Sequence, residues 1–336
     1  MISDIAKALG VSTTTVSFVL NGRAKEKRLS DALAKRVMDY VQEVGYRPNE
    51  LAKSLRTGKT KILGLIIEDI SNPFFANIAR YIETKAYSRG YRIIYCSTEN
   101  NKDKAIEFIQ LFRDRHVDGY LITPPPGIEG TVAELIAQGL PVVLFDRYFP
   151  ELPSDFVIVQ NKQGALEATN HLIEQGFKRI AFVTSTSQQT QMRDRMEGYI
   201  EGMETHNLLP IIKTIPIWQE EQTPIDDFQR FYSETKPDAL FFAANHLAII
   251  GLKSLKQYHH PTPGLISFDD HTHFRISNPT ITVVSQPISQ IAEEVINILI
   301  NKLEGKTKTK QQLVLPTQLI IRESSLKRSE SEILQQ

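Results

Sequence analysis

A chain of 336 residues is too long for one small core and suits two or three domains. With 41% hydrophobic and 23% charged residues it has an ordinary globular composition. Its longest apolar runs, 62–67 and 140–145, fall far short of the roughly 20 residues that cross a bilayer, so no membrane partner is expected. The single cysteine, Cys96, excludes an internal disulfide framework and is expected to be a buried thiol. The first residues show no apolar leader, and together these features point to the cytoplasm. The net charge of zero hides an asymmetry. Residues 1–60 hold 11 Lys/Arg against 6 Asp/Glu, and the remainder is mildly acidic. A basic N-terminal module suggests a phosphate-bearing partner.

Asp4–Leu9 reads as a short helix, and Gly10 permits a tight turn after it. Ser12 is a good N-cap for a second helix, Thr13–Leu20, which Asn21-Gly22 ends. Val16, Val19 and Leu20 share a side that can meet Ile5 and Leu9. Ser30 caps a third helix, 31–44, with Leu33, Val37 and Val41 at i, i+4 spacing. Three short helices with a turn of about three or four residues between the first two make a helix-turn-helix. The outward side of the second helix carries Thr13, Thr14, Ser17 and Phe18. Hydroxyls there can bond phosphates or base edges, and a Phe can meet a thymine methyl.

Five blocks in this region carry a resemblance: Asp4-Ile5-Ala6, then 10–17, Leu20-Asn21, 45–49 and 52–57. In order and spacing they resemble the DNA-binding end of the LacI/GalR repressor family. The resemblance implies that Ser12, Thr13, Thr14, Thr15, Ser17, Phe18, Asn21 and Tyr46 face operator DNA, with Thr13, Thr14 and Phe18 reading bases. It implies that residues 49–56 form a hinge helix on DNA, through Asn49, Ala52, Lys53, Leu55 and Arg56, with Leu55 wedged into the minor groove. Physical chemistry agrees. Pro48 can start a helix, eight residues are too few to be helical alone in water, and an apolar wedge must be offset by contacts that DNA bending allows. Two positions depart from the pattern. The family's usual first-helix N-cap, a Thr, is Met1 here, so either Ser3 caps that helix or the chain starts upstream. Phe18 replaces a usually polar residue.

After Gly58-Lys59-Thr60-Lys61 the pattern becomes strand–helix alternation. Strands are expected at 62–67, 92–97, 119–123 and 142–145, with helices at 74–90, 102–115 and 130–139. A second series has helices at 164–175, 193–206, 224–234 and 246–258 and strands at 179–184, 211–218, 239–243 and 265–268. Two such series imply two Rossmann-like lobes facing a cleft, with ligands beyond the C-terminal strand ends. That rule selects 69–75, 123–126, Asp146-Arg147, 184–195, Trp218, Ala244-Asn245 and Asp269-Asp270. Carboxylates, guanidinium groups, amides and aromatics at such points can hold a polyhydroxylated or charged small molecule.

The same family resemblance extends to about residue 325, on 70–75, 117–119, 141–143, Asp146-Arg147, 267–270, Pro279, Gln286-Pro287 and 322–324. It implies a core similar to periplasmic sugar-binding proteins, with three crossovers between lobes. Carried over by position, Phe74 and Phe75 wall the cleft and Asp146 lies at the mouth of the N-lobe. Arg193 and Arg195 start a C-lobe helix, Trp218 stacks on the ligand, and Asn245 and Asp269 complete the polar contacts. Asp69 joins them on the strand-end rule. His246 and Ser267 stand where the family usually has Asp and Gly.

The fold expected is therefore an all-α helix-turn-helix domain plus hinge helix joined to an α/β periplasmic-binding-protein-like core of two Rossmann-like lobes. The divisions are 1–46, 47–60, 61–325 and a polar tail, 326–336. The N-lobe takes about 61–159 and 288–317, and the C-lobe about 160–287 and 318–325. The function expected is an effector-controlled transcriptional regulator, a repressor in the first reading. Its partners would be near-palindromic operator DNA, a sugar or sugar phosphate, and a second copy of itself. A nucleobase effector, or a solute-binding protein without a DNA role, are the alternatives. Release of DNA by effector and co-repression both remain open. No nucleophile is paired with a base, so no enzyme activity is expected, and no cofactor. Asp269, Asp270, His271 and His273 invite a metal reading, but no further ligand can be named. His259-His260 reads as a solvated loop, and the tail lacks heptads for a coiled coil.

Overall fold

The computed structural model describes residues 1–46, 58–216 and 222–327. The chain divides into two compact units, Met1–Thr60 and Lys61–Gln336.

The first unit contains α1 (Ile2–Leu9), α2 (Thr13–Leu20) and α3 (Asp31–Glu43). The caps follow from the sequence. Ser12 Oγ accepts from the Thr15 amide at 3.0 Å and Ser30 Oγ from the Leu33 amide at 3.2 Å. Gly10 closes α1 in the left-handed region at φ 65°. Ile5, Ala6, Val16, Val19, Val37 and Val41 form the core where the three helices meet. Ser3 does not cap α1 but lies within it. The Met1 amino group donates to Asp4 at 2.7 Å instead, placing opposite charges side by side at the helix start.

The second unit has two lobes with matching sheets. The N-lobe comprises β1 (Ile62–Ile67), α4 (Pro73–Ser88), β2 (Arg92–Ser97), α5 (Lys102–Asp114), β3 (Gly119–Ile122), α6 (Glu129–Ala137), β4 (Val142–Phe145) and β5 (Asp155–Val159). The C-lobe comprises α7 (Asn161–Glu174), β6 (Ile180–Ser185), α8 (Thr190–Thr205), β7 (Ile211–Ile215), α9 (Gln222–Thr235), β8 (Ala239–Phe242), α10 (Asn245–Gln257), β9 (Gly264–Phe268), α11 (Thr272–Ile276) and β10 (Thr282–Ser285). Then α12 (Ile288–Leu303) returns to the N-lobe core. β11 (Gln312–Leu315) edges the N-lobe sheet and β12 (Gln318–Ile320) the C-lobe sheet. The strand orders are β11-β5-β4-β3-β1-β2 and β12-β10-β9-β8-β6-β7, the same order five strands on. All pairings are parallel except β10 with β12. The chain crosses between lobes three times, at β5–α7, β10–α12 and β11–β12. Among the described residues no helix is long and apolar enough to cross a membrane.

Several boundaries differ from the sequence reading. α8 begins at Thr190 rather than 193 and α9 at Gln222 rather than 224. The strand expected over 211–218 ends at Ile215, and Trp218 lies outside the described residues. Cys96 is only half-buried, because β2 is an edge strand. His260 is not a solvated loop residue: its ring packs against Tyr232 at 4.8 Å.

Two glycines set how α8 lies. A Cβ at Gly198 would stand 2.1 Å from the Lys162 carbonyl oxygen, and one at Gly202 would stand 2.8 Å from Thr169. The helices α7 and α8 therefore touch backbone to backbone, which fixes where Arg195 points. Gly198→Ala should destabilise the protein by about 1–3 kcal/mol through overpacking, although alanine is the better helix former by about 1 kcal/mol. A urea midpoint equal to or above the parent's would disprove this close contact.

Candidate functional site

The outward side of α2 presents Thr13 and Thr14 exposed and Ser17 and Phe18 half-buried. Ser12 and Thr15 are occupied with each other: their hydroxyls lie 2.9 Å apart at the cap. Asn21 donates to the Ser17 carbonyl at 2.6 Å, so it closes the helix. Tyr46 packs on the three-helix core. Phe18 is flanked by cations, with the Arg23 guanidinium 5.9 Å and the Lys27 ammonium 5.6 Å from its ring centre. Arg23 donates to Glu26 at 2.8 and 2.6 Å, and with Lys27 holds that carboxyl down at about 2. Residues 23–28, the loop between α2 and α3, thus set Arg23, Lys25, Lys27 and Arg28 on the surface beside the exposed threonines. Cations next to hydroxyls suit a phosphate backbone flanking base edges. The sequence reading passed over this loop as a connector, though the run Arg-Ala-Lys-Glu-Lys-Arg was its signal.

In the second unit the strand ends of both lobes converge on a cavity of about 50 Å³. Phe74 and Phe75, from the start of α4, wall it with rings 5.0 Å apart and edge to face. Asp146 follows β4 and Asp269 follows β9, and both adopt the left-handed conformation, at φ 67° and 69°. Their amides bond equivalent neighbours, Asp146 to the Val157 carbonyl at 3.2 Å and Asp269 to that of Val284 at 2.9 Å. The two lobes therefore aim matching carboxylates at one space.

The guanidinium groups are held by the protein. Arg195 is 3% exposed. It donates to Asn161 Oδ1 at 2.8 Å and the Ala243 carbonyl at 2.7 Å, and lies 3.8 Å from Asp269. Its guanidinium stacks 3.7 Å from the Phe268 ring centre. Gln286 donates to Asp269 at 2.6 Å. Arg147, 2% exposed, donates to Glu68 at 2.7 Å and to Gln189 Oε1 across the cleft. Gln189 in turn donates to Asn100 at 3.1 Å. On the other side Asn245 donates to Asn72 at 3.2 Å. Two hydrogen-bonded bridges thus join the lobes, one on each flank of the cavity.

Burial pushes the Asp146 carboxyl up to about 6, against the pull of Arg147 and Arg195 and helped by Glu68 and Asp269. Burial also lowers His246. Gln191 Oε1 and His246 Nε2, in the cavity wall, are buried polar atoms without a hydrogen-bond partner, as is Arg147 Nε nearby. Each unpaired atom costs on the order of 1–3 kcal/mol, which a polar ligand can recover.

Known proteins resemble both units. The profile of bacterial regulatory proteins of the lacI family matches residues 1–49, and that of a periplasmic binding protein-like domain matches 169–325. The ribose operon repressor of Halalkalibacterium halodurans is 31% identical over 96% of this chain and 96% of its own. The chain belongs to the LacI family. Among solved structures, a lac repressor dimer bound to operator and the anti-inducer ONPF superposes with a TM-score of 0.86 at 19% identity, covering 97% of this chain and 99% of that one. A LacI family regulator from Enterococcus faecium with bound ribose superposes with a TM-score of 0.71 at 22% identity, covering 80% and 100%. Both share the fold.

This LacI-family chain gathers only part of the expected effector set into the cavity. Phe74, Phe75, Asp146, Arg195 and Asp269 line it. Arg193 does not: it is exposed on the far side of α8 beside Asp194 and Glu197. Asp69 does not either, since its oxygens accept from the Ser71 amide at 2.8 Å and hydroxyl at 2.6 Å in a local turn. Asn245 sits at the bridge to Asn72, beside the cavity. Among the DNA-facing residues, Asn49, Ala52, Lys53, Leu55 and Arg56 lie outside the described residues. The sequence reading missed Glu68 and Asn100. Glu68 was signalled by its place directly after the apolar run of β1. Among the described residues no group of three or more His, Cys, Asp or Glu is placed to hold a metal ion.

Asp146 makes a pH-dependent contribution with a definite sign. Its folded pKa lies above the ordinary 3.8, so the folded protein binds a proton that the unfolded chain has lost. Its contribution is most favourable below 3.8, declines as pH rises to about 6, and stays low above that. Asp146→Asn should therefore stabilise the protein at pH 7 by up to roughly 3 kcal/mol, an advantage that shrinks towards pH 4. Urea midpoints of the two proteins at pH 4, 5, 6 and 7 check this. A constant difference across that range would contradict the burial of this carboxyl.

Proposed function

We propose that this protein is a transcriptional repressor that binds near-palindromic operator DNA as a homodimer and changes its operator affinity when a sugar occupies the cleft. The observation that carries the reading is the union, in one LacI-family chain, of a basic helix-turn-helix unit with a cleft of facing carboxylates, guanidinium groups and aromatic walls. Thr13, Thr14 and Phe18 read bases, and the Arg23–Arg28 loop meets phosphates. Asn49, Ala52, Lys53, Leu55 and Arg56 form the hinge at the centre of the site, with Leu55 as the wedge. Asp146, Arg195 and Asp269 bond effector hydroxyls while Phe74 and Phe75 pack on its ring. Three carboxylates against two guanidiniums around the cavity favour an unphosphorylated sugar over its phosphate. The named relatives, a ribose operon repressor and a ribose-bound regulator, support a sugar. Effector and operator sites are then coupled, and each changes the other's affinity by the same factor.

Separate substitutions divide the two sites. Leu55→Ala should weaken operator binding by about 10- to 100-fold, about 1.4–2.8 kcal/mol, with sugar affinity unchanged in calorimetry. Equal operator binding in a fluorescence titration would sink the hinge assignment. Asp269→Asn should bind operator normally yet lose the response to sugar; a retained response removes Asp269 from the site. Operator affinity should also fall steeply with salt, because each neutralised phosphate releases counterions. A flat dependence between 50 and 200 mM salt would refute a phosphate-contacting module.

A further inference from the structure

The central cavity is not the whole of the cleft. Beside it lies a second pocket of about 340 Å³. The two spaces share Glu68, Asn72 and His246 in their walls, so these side chains form a partition between them. Beyond that partition Pro73, Ile249 and Ile250 give the second pocket an apolar wall. The isoleucines come from α10, the helix that also carries Asn245 and His246. Its polar rim is largely spent on the protein itself. Asp69 is tied to Ser71, and the His271 ring accepts from the His273 amide at 3.1 Å to start α11.

His246 is the informative residue. Its Nε2 is buried and has no hydrogen-bond partner, although Glu68, Asp269, Arg195 and Asp69 all lie near enough to influence its charge. Burial favours the neutral ring. A neutral imidazole can donate or accept, so it can meet a hydroxyl or an ether oxygen at the point where one space gives onto the other. A free monosaccharide in the central cavity would leave the apolar wall unused. A glycoside would not: its ring hydroxyls face Asp146 and Asp269, its bridging oxygen faces His246, and its substituent lies on Pro73, Ile249 and Ile250.

We propose that the pocket beyond His246 is a second subsite of the effector site, which receives an uncharged, largely apolar substituent on a polyhydroxylated ring, and that His246 reads the junction between the two. The assignment of the ring to the central cavity rests on the sugar-responsive reading above; the apolar subsite does not.

Two measurements on the full-length protein separate these layers. The first uses phenol as a probe of the side pocket alone, titrated into protein carrying ¹³C-labelled isoleucine methyl groups. Phenol should shift the Ile249 and Ile250 methyl signals with saturation, and Ile249→Trp, which fills the pocket, should abolish the shift of Ile250. Ile250→Phe serves as the second filling variant should the first fold poorly. Absence of shifts at millimolar phenol overturns the subsite whatever the fate of the sugar reading. The second compares free pentoses and hexoses with their phenyl glycosides by calorimetry. A phenyl glycoside should bind about tenfold or more tightly than its parent sugar, an advantage of about 1.4 kcal/mol. Ile249→Trp should erase that advantage and leave the parent sugar's affinity as it was. His246→Ala should weaken the glycoside more than the free sugar. Equal binding of glycoside and parent overturns the junction at His246. Failure of every sugar and glycoside, with phenol still shifting the isoleucines, refutes the sugar reading and the junction while leaving the apolar subsite in place.

Discussion

Three carboxylates and two guanidinium groups share one largely buried cleft, and the geometry of both lobes answers to that constraint. A buried charge is tolerable only when paired and hydrogen-bonded. Arg147 is balanced by Glu68 and Arg195 by Asp269, and each guanidinium donates further to amide or carbonyl oxygens. Those oxygens all come from the C-lobe: Asn161 at the start of α7, Gln189 just before α8, and the Ala243 carbonyl after β8. Hence α7 must start at Asn161, where it meets Arg195 Nε, and α8 must lie against α7 closely enough to bring Arg195 there. Gly198 and Gly202 permit that approach. Asp146 is the carboxyl left over, and its raised affinity for a proton is the cost of that position.

The pairing of Asp146 with Asp269 comes from repetition within the fold. The same strand order occurs in each lobe, so the residue after β4 and the residue after β9 occupy corresponding places. Each bonds the strand next to it, and each needs the left-handed conformation that Asp tolerates better than most residues. The repetition fails at the edge, where β11 runs parallel to β5 but β12 antiparallel to β10. There the chain leaves β11 at the cleft and two residues later enters the C-lobe sheet from its cleft end, so β12 runs against β10.

Much of this was legible in the residues themselves. Buried parallel strands read as unbroken apolar runs, and β1, β4 and β8 did so. Ser12 and Ser30 marked their helices because a hydroxyl before an apolar period satisfies amides that the helix cannot. The alternation passed over β5, although that strand is buried throughout, and became unreadable after β9. The strands β10, β11 and β12 are three or four residues long, and two of them are half-exposed edges with mixed patterning. Arg193 and Arg195 were both drawn into the cleft by the sequence. Residues two apart on a helix lie on nearly opposite sides, so only one could reach it. Asp69 lies outside the central cavity for a different reason: Ser71, two residues on, holds its carboxylate in a local turn. Asn100 was missed because its contact with Gln189 exists only across the cleft, and Glu68 because its partner Arg147 stands far away in sequence, after a different strand.

The two bridges that flank the cavity, Arg147–Gln189–Asn100 and Asn72–Asn245, have a kinetic meaning. A space of about 50 Å³ holds a few waters and not a sugar ring. A ligand as large as a sugar ring therefore needs the bridges to break and the lobes to part as it enters. Association then includes a conformational step, which lowers its rate constant. The observed rate levels off as ligand concentration rises, at the opening rate itself. Once the lobes settle around a bound ring, at a wider spacing than here, escape waits on the same parting. Such a protein would register how long an effector has been present as well as how much of it there is.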